Sequence, residues 1–543
     1  VRIARFALVA VLAARALAAG PVTVVEATDY SRTSLYPEVL DFLYQVEKTS
    51  SLVAIAPLTT STEGRMVPLV ILSKERIRTP DELRDIGKPA VLVMANIHAG
   101  EVEGKEACQM LVRDVGSGHL AALLEHQVIL VIPIFNADGN EKLGKNRHDN
   151  GPELAGVRYN GQNLDLNRDY TKLESPEVRA LVRLFNTWDP VLVVDMHTTN
   201  GSYHREPVSY TTCANANGPK ALADYMWDKL FPATAAQLKR TAGFDSVPYG
   251  EFVEGAEPSK GWINEAIELR YGTNYVGLRD RLAILDENYS YADFRTRVLA
   301  SYAYIRAALE FTDANAGEIV SLVKRADRET ATTYFRQPFV TESSLEKLWE
   351  VTVKGWEFTT EPVTPEERAK SPWLGTVRVR PTGVPHDYTV PYLARAVPKQ
   401  TVGLPLGYIV LPGEDEVIRN LREHGIVLEE TMEGCRLPAE RFVFERIEPE
   451  RTVFQGHVRL SLAGHYEKAD VEVPPRSVFV DMRQPLARLV PVLLEPLSAD
   501  SLVVWGFFNR AIVKQWTNQP GPYPVLRVDA RPPVPTLVMH EEQ

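Results

Sequence analysis

The sequence predicts an α/β domain on a mostly parallel sheet, followed by a β-rich region. Three observations predict it. An apolar run, Ala90 to Met94, stops in a small-residue turn; a helix-like segment from Glu101 to Val115 follows, then a second apolar run, Val128 to Phe135. Strand, helix, strand is the crossover unit of a parallel sheet. Two later apolar runs, Pro190 to Met196 and Leu282 to Leu285, also end abruptly in polar residues, as buried strands do. From about residue 336, short apolar strands, prolines and turn residues take over.

The N-terminus reads as an address. Arg2 and Arg5 precede the apolar run Phe6 to Ala14, and Ala16-Leu17-Ala18 offers a small-x-small cleavage site. This is a secretory signal pattern over residues 1–18, and it predicts an exported protein, periplasmic or extracellular. The run is shorter than the roughly 20 residues that span a bilayer, and no other stretch qualifies as a membrane span. The 543 residues are 45% hydrophobic and 24% charged, which fits an ordinary globular chain of more than one domain. A net charge of -11 argues against nucleic acid as a partner. Three cysteines, Cys108, Cys213 and Cys435, form no CxxC motif and provide no disulfide framework.

Tyr36 to Lys48 has an amphipathic helical pattern, with Val39, Leu40, Phe42, Leu43 and Val46 on its apolar face. Leu52 to Pro57 and Val67 to Leu72 read as paired strands about the turn at Gly64. Gly116 and Gly118 end the helix after Glu101. Asn136 to Asn140 is a turn signal. Residues 140–170 form a polar loop too long to be a simple connector, which favours function. Ser175-Pro176-Glu177 starts a helix: hydroxyl cap, proline in the first turn, then an acid. Tyr291 to Phe311 shows helical spacing and closes the first domain, 19–335. The β-rich region, 336–543, contains scattered histidines (His424, His457 and His465) and no cluster of metal ligands.

The chemistry gathers at the strand ends. His98 and Glu101 lie just past the first strand, where open α/β sheets place their sites. Two such donors can face one metal, and His197, at the end of another apolar strand, supplies a third. Asn167, Arg168 and Glu287 complete the set. Two histidines and a glutamate can hold a zinc that activates water, a further carboxylate can act as base, and arginine can bind carboxylate or oxyanion. Hydropathy leaves Asp286 and Glu287 both open as that base, since adjacent strand residues face opposite sides.

The ordered set His98-Ala-Gly-Glu101, Asn136-Ala-Asp-Gly139, Asp165-Leu-Asn167-Arg168 and His197 resembles the zinc metallocarboxypeptidases of the carboxypeptidase A type, over residues 35–310, as a larger bacterial exported member. The resemblance implies an α/β/α sandwich on a mixed eight-stranded sheet and one Zn2+ per chain, held by His98, Glu101 and His197. It implies that Glu287 is the general base, that Asn167 and Arg168 hold the substrate carboxylate, and that Asp165 orients a zinc-bound histidine. It implies an oxyanion arginine, read as Arg147 with Arg158 in competition, and a capping tyrosine, Tyr271 or Tyr275. The expected reaction is removal of C-terminal residues from peptides. The alternatives are a deacylase or amidase acting on N-acyl amino acids or cell-wall peptides, and a non-catalytic peptide-binding protein. The β-rich region has no counterpart in the pancreatic enzymes.

Overall fold

Apolar strands with no polar face must be covered on both sides, and this requirement shapes the first 335 residues. The computed structural model describes residues 20–146, 150–370, 375–512 and 520–539; the signal pattern lies outside the described residues. Eight strands form one sheet: β1 (Val53–Thr60), β2 (Met66–Leu72), β3 (Ala90–Ala95), β4 (Val128–Ile132), β5 (Leu192–Thr199), β6 (Val208–Thr211), β7 (Ser246–Pro248) and β8 (Leu282–Tyr289). Their spatial order is β1-β2-β4-β3-β5-β8-β6-β7. The central four, β4-β3-β5-β8, are all parallel, so their carboxyl ends share one edge. The flanking β1, β2 and β6 run antiparallel to their inner neighbours. The expected mixed eight-stranded sheet is present.

Helices cover both faces. On one lie α1 (Tyr36–Thr49), α2 (Glu103–Gly116), α4 (Phe294–Ala314) and α5 (Ala316–Thr333), whose apolar side chains meet Val91, Val93, Val194 and Ile284. On the other lies α3 (Pro176–Trp188), with Leu181, Phe185 and Trp188 in one cluster with Leu92, Leu130 and Ile132. The start of α3 is as the sequence predicts: Ser175 Oγ accepts a hydrogen bond from the Val178 amide, and Pro176 follows. The long helix ends at Ala314, and α5 succeeds it at once, a helix the periodicity did not reveal.

Two elements differ from expectation for a physical reason. Several short strands were expected between 349 and 410. Up to Gly403 they are instead two long ones, β9 (Pro338–Pro362) and β10 (Val377–Gly403), paired antiparallel as a bulged ribbon. Pro381, Pro385, Pro391 and Pro398 interrupt the sequence signal, yet β10 meets its other neighbour, Trp262–Ile263, only at Tyr392 and Leu393. Most of its far side is open, where proline breaks no ladder. Seven further strands form another sheet that includes Gly407–Val410, Cys435–Pro449 and Leu460–Val473. This β-rich region packs against the outside of α3, so Tyr408, Leu421, Val480 and Leu493 share a single apolar cluster with Phe185 and Leu92. Among the described residues no helix is long and apolar enough to cross a membrane.

Glu177, in the first turn of α3, is fully buried and accepts a hydrogen bond from Asn160 Nδ2. Burial raises its pKa from an ordinary 4.5 to about 7. The folded state therefore binds more protons than the unfolded state between those values, and stability falls as pH rises through that window. Glu177→Gln removes this dependence. Urea unfolding at pH 5 and pH 8 should show the variant losing less stability than the parent, by on the order of 1–3 kcal/mol.

Candidate metal centre and substrate pocket

The site is assembled at the carboxyl edge of the central strands. After β3, Asn96 takes a left-handed conformation (φ 64°) and its Nδ2 donates to the carbonyls of Ala99 and Glu101. The chain turns so tightly that the Glu101 amide donates to the His98 carbonyl, which brings both side chains to one side. His197 sits in β5 itself, opposite Glu287 of β8 in the parallel register. Partners in register share a face of the sheet, so Glu287 joins His197, while Asp286 points the other way and is buried near Ser301 of α4. Register thus sets the two acids apart: Glu287 lines the pocket and Asp286 does not.

The polar loop closes over this edge. Asn136 Oδ1 accepts from the Gly139 amide, and its Nδ2 donates to the Arg158 carbonyl. A Cβ on Gly156 would lie 2.6 Å from the Gly139 carbonyl oxygen and 2.8 Å from that of Ala99. Only glycine permits that approach, which delivers Arg158 to the site. Arg158 Nε donates to Asp165 Oδ2 at 2.8 Å, and its Nη1 lies 3.6 Å from Glu101. Arg147 lies outside the described residues. Asn167 and Arg168 follow in a short 3₁₀ turn, with Asp165 Oδ1 accepting from the Asn167 amide.

His98, Glu101 and His197 are all buried, and they are brought together. His98 Nδ1 is 3.0 Å from Glu101 Oε1, His197 Nδ1 is 3.1 Å from Glu101 Oε2, and the two Nδ1 atoms are 3.3 Å apart. Donors on a tetrahedral zinc with bonds near 2.0–2.1 Å stand roughly 3.3–3.4 Å from one another. Two imidazole nitrogens turned on each other at that spacing, beside a carboxylate, fit that ion. Behind them, His98 Nε2 meets Asp165 Oδ1 at 3.1 Å and His197 Nε2 lies 3.0 Å from Asp195 Oδ2. The Asp165 hydrogen bond favours the His98 tautomer that leaves Nδ1 able to ligate, and Asp195 lies beside the matching nitrogen of His197. Asp195 was not singled out from sequence, although its position two residues before His197 on a strand puts both on one face.

Burial would raise the Asp165 pKa, but the His98 hydrogen bond and the charges of His98, Arg158 and Arg168 hold it well below the usual carboxylate range. Burial likewise opposes ionisation of Glu101, and the two histidines outweigh it and keep it ionised. Below the site, Arg297 and Glu103 form a buried ion pair at 2.6 Å, and Thr198 donates to the same carboxylate. This pins the start of α2 to the end of β5, hence Glu101 to His197.

A pocket of about 370 Å³ opens over the cluster. Arg168 lies on its wall, with the guanidinium 4.1 Å above the ring of Tyr271. Asn167 Oδ1 accepts from the Gly272 amide at 2.8 Å. Tyr271 lines the pocket; Tyr275 is in the core, bonded to His424. Residues unseen in the sequence also line it: Tyr249, whose phenol burial and the Glu287 charge push up, and the acids Glu251, Glu265 and Glu268.

A zinc carboxypeptidase family model matches residues 39–264. The chain is 23% identical over 488 residues to carboxypeptidase 2 of the fungus Trichophyton tonsurans, covering 86% of this chain and 81% of that one. It is 28% identical over 130 residues to human carboxypeptidase D, covering 20% and 9%. Among solved structures, a metallo-carboxypeptidase from Burkholderia cenocepacia aligns at 18% identity and TM-score 0.39, covering 52% of this chain and 70% of that one. The relatives span fungi, animals and bacteria. The family match and the carboxypeptidase relatives support a zinc metallocarboxypeptidase enzyme.

If Asp165 orients His98, Asp165→Asn should weaken zinc binding by about 10–100-fold, read by competition with a chromogenic chelator. An unchanged affinity would remove that role from it.

Proposed function

We propose that the protein removes single C-terminal residues from peptides, with preference for a cationic last side chain. The observation that supports it best is the joint placement of a three-donor metal cluster, Glu287 and the Arg168 guanidinium around one pocket. A zinc held by His98, Glu101 and His197 would polarise the scissile carbonyl and acidify water.

The chain's own residues do the rest. Arg168 takes the terminal carboxylate by a bidentate contact, its fork held flat by the Tyr271 ring. Asn167 has its Oδ1 engaged by Gly272, so its NH2 is the end that donates to the same carboxylate. Glu287 takes a proton from the attacking water and returns it to the departing amine. We assign the oxyanion to Arg158, whose Nε is anchored on Asp165 while its other N–H groups remain for the substrate.

Glu251, Glu265 and Glu268 give the pocket an acidic wall, with Arg270 3.8 Å from Glu268. Burial raises the Glu251 pKa and the charge of Glu265 raises it further, as expected of two carboxylates that lack a counter-ion between them. A C-terminal lysine or arginine supplies that ion. We further read the chain as exported, on the charged and apolar pattern of residues 1–18.

The test is a peptide library incubated with zinc-loaded protein and followed by mass spectrometry. Single C-terminal residues should be lost, the loss should stop with a chelator, and Glu287→Gln should lower kcat by at least about 10²-fold while zinc content holds. Intact peptides beside hydrolysed N-acyl amino acids would replace this reading with a deacylase. Bound but intact peptides would replace it with a binding protein.

In the same library, lysine and arginine termini should be released at least about 10-fold faster than glutamate, a difference of roughly 1.4 kcal/mol. Equal rates would overturn the cationic preference alone.

A further inference from the structure

The β-rich region reaches the active-site loops at two points. The segment Phe454-Gln455-Gly456-His457 is a tight hairpin turn: the Phe454 amide donates to the His457 carbonyl and the His457 amide to that of Phe454. Both central residues have positive φ, Gln455 at 52° and Gly456 at 79°. A turn of this kind favours asparagine, aspartate or glycine at its first central position. Glutamine there is disfavoured, and a residue kept in a strained conformation points to a use for its side chain. That use is visible: Gln455 Oε1 accepts from the Asp165 amide at 2.8 Å. The turn is braced by His457 Nε2, 2.7 Å from Glu174.

The second point is Asp500, fully buried, whose two oxygens accept from Arg270: Nη1 at 3.0 Å and the backbone amide at 3.1 Å. Arg270 precedes Tyr271. The two loops are also tied to each other, because Asn167 accepts from the Gly272 amide and Arg168 lies on Tyr271. Each loop that would grip the substrate is therefore held to the other and, from outside, to the β-rich region.

We propose that Gln455 and Asp500 are positioning residues, and that the β-rich region sets the separation between Arg168 and the metal cluster by fixing the Asp165–Arg168 and Arg270–Gly272 loops. Neither side chain touches the reacting atoms. Each acts through a backbone amide that a loop cannot satisfy alone. The kinetic part of this rests on the peptidase reading above; the structural part does not.

Gln455→Gly separates positioning from stability. Glycine suits the positive φ, so the turn is relieved while the acceptor for Asp165 is lost. The full-length variant should melt no lower than the parent. Hydrogen exchange should nevertheless speed up about 10-fold or more in peptides covering residues 160–170. On C-terminal lysine peptides KM should rise about 10-fold because the carboxylate grip is displaced, and kcat should fall as well, because Asp165 also anchors Arg158 and His98. Asp500→Asn keeps one carbonyl acceptor and should show a smaller shift in the same direction, with faster exchange over residues 268–275. Exchange and KM both within twofold of the parent would overturn the proposal. Should the parent turn over no peptide, the peptidase reading falls, and the exchange measurement alone decides whether Gln455 holds the loop.

Discussion

One carboxylate, that of Asp165, ties the candidate site together. Its Oδ1 meets His98 Nε2 and the Asn167 amide, and its Oδ2 receives Arg158 Nε. A metal ligand, an arginine and the start of the Asn167–Arg168 turn thus share one anion. Removing it would leave three donors competing for water in a site that admits little of it. The cost of burying the charge is met by hydrogen bonds at both oxygens, the condition under which a buried ion is tolerated.

The sheet provides the other half of the geometry. Parallel neighbours β5 and β8 put His197 and Glu287 side by side because their register is set by the apolar pairs below them, Val193 with Ala283 and Val194 with Ile284. A slip of one residue would exchange Glu287 for Asp286 and bury the wrong acid. Glu103 and Arg297 then fix α2 across the same edge, so the turn bearing His98 and Glu101 cannot drift from β5. The site is precise because its parts lie at the ends of elements whose packing leaves one arrangement.

What the sequence disclosed follows from range. His98, Glu101 and His197 were legible since each stands where an apolar run stops, a local signal. The helix start at Ser175 was legible for the same reason. Glu287 needed the resemblance, because choosing between neighbours on a strand depends on which partner the strand finds. Arg147 lies outside the described residues; Arg158, its competitor, is placed by the close approach of Gly156 to Gly139, which no spacing reveals. The acids lining the pocket come from segments with little regular structure between 249 and 268, where hydropathy has nothing to report. Gln455 lies 290 residues from the amide it binds, and a glutamine in a turn gives no sign of it. The ribbon of β9 and β10 was misread as fragments because proline punctuates a strand only when its missing N–H matters.

The apolar cluster that joins α3 to the β-rich region bears on how the molecule comes apart. Phe185 and Leu92 lie in one core with Tyr408, Leu421 and Leu493, while the opposite face of the eight-stranded sheet has a core drawn from the first half alone. Loss of the β-rich region would therefore strip one face of the first domain, exposing the apolar side of α3, and leave the other face packed.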